Sequence, residues 1–253
     1  MNQDFLGRVV WVTGANGGIG QAVVQEFRRR GAIVIASDLK ADVSIENSDF
    51  STQQSVQLDV TKRSQVHALL QRIATQCGTV DTLINVAGVV SFGSAQDLSE
   101  EEWDRVIDIN LKGSFLTSQS VLTGMKEKKF GRIIQMGSVV GKNAGNARPW
   151  IDPNEQASAS NVAYGVSKAG VHIMTGFLAR ETASFGITVN ALAPGPIATE
   201  MTKGFPDNLR ALIPVGRMGE TNDIVHAVMF LAHQDAGFVT GEILNVNGGM
   251  WSD

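Results

Sequence analysis

Thr13-Gly14-Ala15-Asn16-Gly17-Gly18-Ile19-Gly20 follows an apolar run at 9–13 and leads straight into a segment of helical character. Glycines here let the backbone turn tightly and approach a pyrophosphate, while a helix N-terminus supplies free amides and the positive end of its dipole. The spacing is Gly-x3-Gly-x-Gly, so the turn gains its meaning from context: a strand before it, a helix after it and an acid further on. That acid is Asp38, at the end of the next apolar run and 24 residues past Gly14. A carboxylate there can accept hydrogen bonds from both hydroxyls of an adenosine ribose and repels a 2′-phosphate. Gly17 and Leu39 occupy the places where a base would neutralise that phosphate, and the nearest cation is Lys40. The expected cofactor is NAD.

The rest of the chain repeats the strand–helix alternation. Runs at 33–37, 55–58, 82–86, 132–136, 188–192 and 243–246 are rich in Val and Ile and nearly continuous in apolar character, as strands covered on both faces are. Helical stretches lie near 20–30, 63–77, 100–128, 162–184 and 223–233. This alternation predicts an α/β fold, a single Rossmann-type domain over 1–253 whose doubly wound parallel sheet has about seven strands with helices on both faces. Two stretches break the pattern. The crossover at 40–54 has little helical periodicity and reads as short or frayed. The segment 142–161, rich in Asn, Ala, Ser and Pro, reads as a long loop, of the kind that is functional in compact domains.

Composition limits the partners. The 253 residues are 43% hydrophobic with net charge −4 and no Lys/Arg tract, which argues against nucleic acid. The one cysteine, Cys77, excludes an intramolecular disulfide and suits a reducing compartment. No stretch reaches the roughly 18 apolar residues of a membrane helix, so the expectation is a cytoplasmic protein without a membrane partner. His67, His172, His226 and His233 form no metal-ligand spacing and read as surface or interface residues; no metal is expected.

The only tyrosine, Tyr164, stands four residues before Lys168. On a helix that spacing puts phenol and ammonium on one face, one turn apart. A cation that close is expected to pull the phenol pKa down toward neutrality, making a group that exchanges protons with an alcohol or a carbonyl.

With these motifs in order, the sequence resembles the short-chain dehydrogenase/reductase family over nearly its whole length. Asp59-Val60 resembles the pair that contacts adenine. Asn85-Val86-Ala87-Gly88 is similar to the family's Asn-Asn-Ala-Gly, with Val86 a departure. Asn110, Ser138 and the Tyr164–Lys168 pair match the family's catalytic set, and 194–199, with Pro194, Gly195, Ile197 and Thr199, matches the segment over the nicotinamide. The resemblance implies that Tyr164 exchanges the proton, Ser138 holds the substrate oxygen, Lys168 lowers the tyrosine pKa and grips the nicotinamide ribose, and Asn110 anchors a water. It implies cofactor contacts from Gly14, Asn16, Gly17, Gly18, Ile19, Gly20, Asp38, Leu39, Asp59, Val60, Asn85, Ala87 and Gly88. Within the family the chain is most similar to 3-oxoacyl-acyl-carrier-protein reductases, a branch that generally uses NADP, whereas Gly17 and Asp38 favour NAD.

The 26-residue interval from Ser138 to Tyr164 exceeds the family's usual spacing. Its extra residues, Arg148, Trp150, Ile151 and Asp152 among them, read as a wall or lid, with Trp150 beside Ser138 as a substrate contact, or else as a solvated surface excursion. The helix from 162 to 185 has little polar face, which points to burial on two sides and a homotetramer. The expected activity is hydride transfer between nicotinamide and a small-molecule secondary alcohol or ketone. Two alternatives are a dihydrodiol-type dehydrogenase giving an aromatic product and a non-catalytic NAD(H)-sensing regulator.

Overall fold

The computed structural model describes residues 3–52, 54–145 and 153–253. Seven strands form one sheet: β1 Val9–Thr13, β2 Ile33–Asp38, β3 Ser55–Gln57, β4 Thr82–Asn85, β5 Gly131–Met136, β6 Ile187–Pro194 and β7 Ile243–Val246. All neighbours pair in parallel, in the order β3-β2-β1-β4-β5-β6-β7. The helices are α1 Gly18–Arg29, α2 Arg63–Gln76, α3 Glu100–Ile107, α4 Gly113–Lys128, α5 Val140–Asn143, α6 Pro153–Ser158, α7 Val162–Thr182, α8 Asp207–Arg210 and α9 Thr221–Ala232. The result is the expected single α/β domain.

Strand residues alternate between two cores. Val10 and Val12 of β1 pack with Val23, Val24 and Phe27 of α1 and with Ile224 and Val228 of α9. Val9 and Trp11 face the other way, onto Val66, Leu69 and Ile73 of α2, Val121 and Met125 of α4 and Leu178 of α7. Both faces are covered, which is why the strands read as continuous apolar runs. Even Trp11 is wholly buried, its indole N–H donating to Ser37 Oγ at 2.9 Å.

Among the described residues between β2 and β3 there are turns and no helix, which agrees with the weak helical periodicity of 40–54. The stretch 100–128 is one helical rod interrupted by a π-helical turn at Asp108–Lys112. The 142–161 segment is not loop throughout, because it starts within α5 and contains α6. Its Arg148, Trp150, Ile151 and Asp152 lie outside the described residues. The strand order reverses at β1, where β2 lies on one side and β4 on the other, so a crevice opens beyond the carboxyl ends of these strands. Among the described residues no helix is long and apolar enough to cross a membrane.

Candidate active site

That crevice is a cleft of about 790 Å³ running from the glycine turn and Asp38 to Ser138, Tyr164 and Lys168. At its first end, β1 runs out into Gly14 at φ +64°, where an added Cβ would lie 2.6 Å from the Ala87 backbone nitrogen. A Cβ on Gly20 would lie 2.1 Å from the Gly14 carbonyl oxygen. The turn is therefore closed by backbone packed on backbone. Gly17 precedes α1 in extended conformation with no side-chain cap, and the first turn of α1 holds no acidic residue. Its leading N–H groups have no intrahelical partner, and Gly17, Gly18, Ile19 and Gly20 all line the cleft. A set of backbone donors at a positive helix end suits a diphosphate. Thr199 closes the other side, its methyl against the bare Cα of Gly18.

Asp38 stands on the cleft rim. Its carboxylate accepts the Asn16 N–H at 3.0 Å and the Lys40 N–H at 2.9 Å. Leu39 is 57% exposed and lies on the cleft wall, while the Asn16 amide oxygen is taken by the Ser55 hydroxyl at 2.8 Å. Leu58, Asp59 and Val60 continue the wall, with Asp59 Oδ1 fixed by the Thr61 N–H and hydroxyl.

Asn85 departs from the expectation. It is buried and absent from the cleft lining; its amide nitrogen donates to Ser114 O, Ser118 Oγ and Gln135 Oε1, and its oxygen accepts from Thr117. It ties β4 to α4 and β5, while Ala87 and Gly88 beyond it reach the cleft. Asn110 is buried too. Its side chain pairs with both the N–H and the carbonyl of Val89, at 2.8 and 2.9 Å, and donates to Ser167 Oγ at 2.9 Å. It sits in the π turn, a local insertion that recurs at functional sites.

At the other end, Tyr164 is in the first turn of α7, whose N-cap Asn161 accepts the Tyr164 N–H and donates to Ser91 and Phe92. Burial raises the phenol pKa above its usual value, and a hydrogen bond with Ser138 pulls it partly back. The expectation was a phenol drawn down toward neutrality by Lys168; in this structure burial is the larger influence. The Lys168 ammonium lies 5.8 Å from the ring centroid and donates to Met136 O at 2.8 Å, and burial lowers its own pKa to about 8. Ser138 and Tyr164 line the same end of the cleft, and a protonated phenol there is a proton donor poised over it.

The histidine reading also needs one correction. His172 is half-buried, and its Nε2 accepts the Ser138 N–H at 3.3 Å. A lone histidine on α7 carries no spacing signal, so the sequence did not reveal that contact. Pro194, Gly195, Ile197 and Thr199 line the cleft as expected; Met136, Gly137, Thr61, Arg105 and Thr202 join them without any motif to flag them.

A family model described as Enoyl-(Acyl carrier protein) reductase matches residues 14–251. The 3-oxoacyl-[acyl-carrier-protein] reductase FabG of Escherichia coli (strain K12) is 38% identical over 98% of this chain and 99% of its own. The chain belongs to the short-chain dehydrogenase/reductase family. The like-named reductase of Vibrio cholerae is 40% identical over the same shares, and that of Thermotoga maritima 35% identical over 96% of this chain and 98% of its own. The crystal structure of gox2181 covers 96% of this chain and 95% of its own, with a TM-score of 0.82 at 32% identity. As a short-chain dehydrogenase/reductase, this chain is an oxidoreductase.

Proposed function

We propose that the protein interconverts a secondary alcohol and its ketone with NAD(H), with Tyr164 as general acid and base. The observation that carries this is the convergence of Ser138, Tyr164 and Lys168, the last two one helical turn apart, at one end of a cleft whose opposite rim bears Asp38. A bound nicotinamide supplies the hydride in the reducing direction. Gly14, Asn16 and the N-terminus of α1 hold the diphosphate, Asp38 the adenosine ribose, and Asp59 and Val60 the adenine. Pro194, Gly195, Ile197 and Thr199 flank the nicotinamide end. Ser138 donates to the substrate oxygen where negative charge grows, and Tyr164 passes its proton to that oxygen. Lys168, which lines the cleft beside Tyr164, would hold the nicotinamide ribose.

The relatives' names point to a 3-oxoacyl ketone as the first substrate to try. The exposed Val162, Val166, Ile173 and Phe177 of α7, with Phe115 of α4, form an apolar face that supports a homotetramer. Cytoplasmic action agrees with a single cysteine, Cys77, that forms no disulfide. Initial rates with NADH and with NADPH on a ketone panel including a 3-oxoacyl thioester test the reading. Turnover favouring NADH is expected; equal or better efficiency with NADPH overturns the cofactor assignment, and no turnover of any ketone or alcohol overturns the activity.

A further inference from the structure

We infer that His172 is the positioning residue for the catalytic serine: its unprotonated Nε2 holds the Ser138 backbone, and through it the hydroxyl, at the angle that reaches Tyr164 and the substrate oxygen. The inference rests on the proposed role of Ser138 and deepens it.

Backbone accounting shows why a side chain is needed there. Past the end of β5, the Gly137 and Val139 N–H groups both pair with β6, donating to Leu192 O and Pro194 O at 2.9 Å each. The Ser138 N–H lies between them, finds no strand partner, and donates to His172 Nε2. A buried N–H must have an acceptor, and in this fold the imidazole is that acceptor. The slot for the ring is built from glycine on both sides. A Cβ at Gly137 would fall 2.1 Å from Nε2, and one at Gly141 would fall 3.0 Å from Cε1. The ring is thus wedged between the residue before the serine and the helical turn after it. With Nε2 accepting, Nδ1 must carry the proton.

The surroundings favour that neutral tautomer. The charged groups that face the ring are Lys142 of α5, Lys168 one turn away on α7, and Asp253. Burial and the two lysines lower the imidazole pKa to about 4, with Asp253 opposing. Lys142 is itself held in place, donating to the Ile243 carbonyl at 3.0 Å and to the Asp253 carboxylate at 2.7 Å. A protonated ring would present N–H to N–H and push Ser138 off its position. The neutral ring survives across the pH range in which Tyr164 works as a proton donor.

The test compares His172→Leu, which fills the slot without an acceptor, with His172→Gln, whose Oε1 can replace Nε2. Ser138→Ala is the companion variant. His172→Leu is expected to lower kcat about tenfold to a hundredfold, the scale for a misplaced reacting group, with NADH affinity within twofold of wild type. His172→Gln should recover most of that loss, which a purely structural role would not produce. Histidine ¹⁵N shifts of the wild-type protein at pH 7 read the tautomer without any variant having to fold. An Nδ1–H, Nε2-acceptor ring is expected; an Nε2–H or doubly protonated ring overturns the inference. Full kcat in folded His172→Leu, or no advantage of Gln over Leu, overturns it equally. If Ser138→Ala is inactive while His172→Leu is not, only this inference falls. If Ser138→Ala is fully active, the role of Ser138 falls and His172 with it.

Discussion

Asp38→Asn removes a charge while keeping the side chain's shape, so it isolates what the carboxylate contributes to cofactor choice. In the wild type one oxygen accepts the Asn16 N–H at 3.0 Å and the other the Lys40 N–H at 2.9 Å. An amide has only one acceptor atom, so its NH2 must face one of those backbone donors. Exchanging a charge-assisted bond for a neutral or broken one costs about 1–2 kcal/mol at this rim, and any bond from a ribose hydroxyl weakens by a similar amount. Toward a 2′-phosphate the change acts in the opposite sense. Two unit charges about 5 Å apart repel by about 1–3 kcal/mol for effective dielectrics between water and the protein surface, and the variant removes that term. Together the preference for NADH over NADPH should shrink by about 2–5 kcal/mol, roughly 30- to 4,000-fold. Fluorescence titration with each reduced cofactor, alongside kcat/KM for both, measures the swing. A variant whose preference stays within about threefold of wild type would refute the reasoning, since less than 1 kcal/mol would then rest on the charge.

Gly14→Ala should destabilise the fold in urea and weaken NADH binding at least about tenfold, because a left-handed backbone alone costs alanine about 1–2 kcal/mol before the clash with Ala87; wild-type midpoint and affinity would contradict this. Lys168 releases its proton near pH 8 in the fold and near 10.5 when unfolded, so between those values the unfolded chain binds more protons and stability should rise with pH. Relative to Lys168→Met the wild type should gain about 3 kcal/mol over that window, and parallel stability curves for the two proteins would show that burial does not act on the amine. Ile173→Asp with Phe177→Asp places charge on the residues of α7 that are 66% and 64% exposed; light scattering should then report a smaller species than wild type, and an unchanged mass would remove that face from any interface.

Much of the sheet was legible because parallel strands buried on both faces leave runs of Val and Ile that no exposed segment shares. All seven strands appear where those runs lie, within two residues at each end. Gly14, Asp38 and the Tyr164–Lys168 spacing were legible for a different reason: each demands a residue type that backbone geometry or proton chemistry cannot exchange. What the sequence hid was direction. Spacing places Lys168 beside Tyr164, but only packing decides that its ammonium turns to Met136 O. Asn85 sits at the end of β4, yet the polar hole formed by Thr117, Ser118 and Gln135 draws its amide inward. His172 acquires its partner from Gly137 and Gly141, contacts that no periodicity encodes.

Transfer of deuterium from [4,4-²H2]NADH to a ketone, followed by mass and NMR analysis of the product alcohol, probes the cleft, the cofactor and the proton donor in one assay. For the wild type, with a panel that includes a 3-oxoacyl thioester, deuterium should appear on the carbinol carbon of at least one product. Tyr164→Phe should bind NADH normally and transfer the label about 10² to 10⁴ times more slowly, the usual worth of a general acid. Tyr164→Phe transferring the label at a third of the wild-type rate or more, or wild-type protein leaving the label on the cofactor across the whole panel, would contradict the assignment.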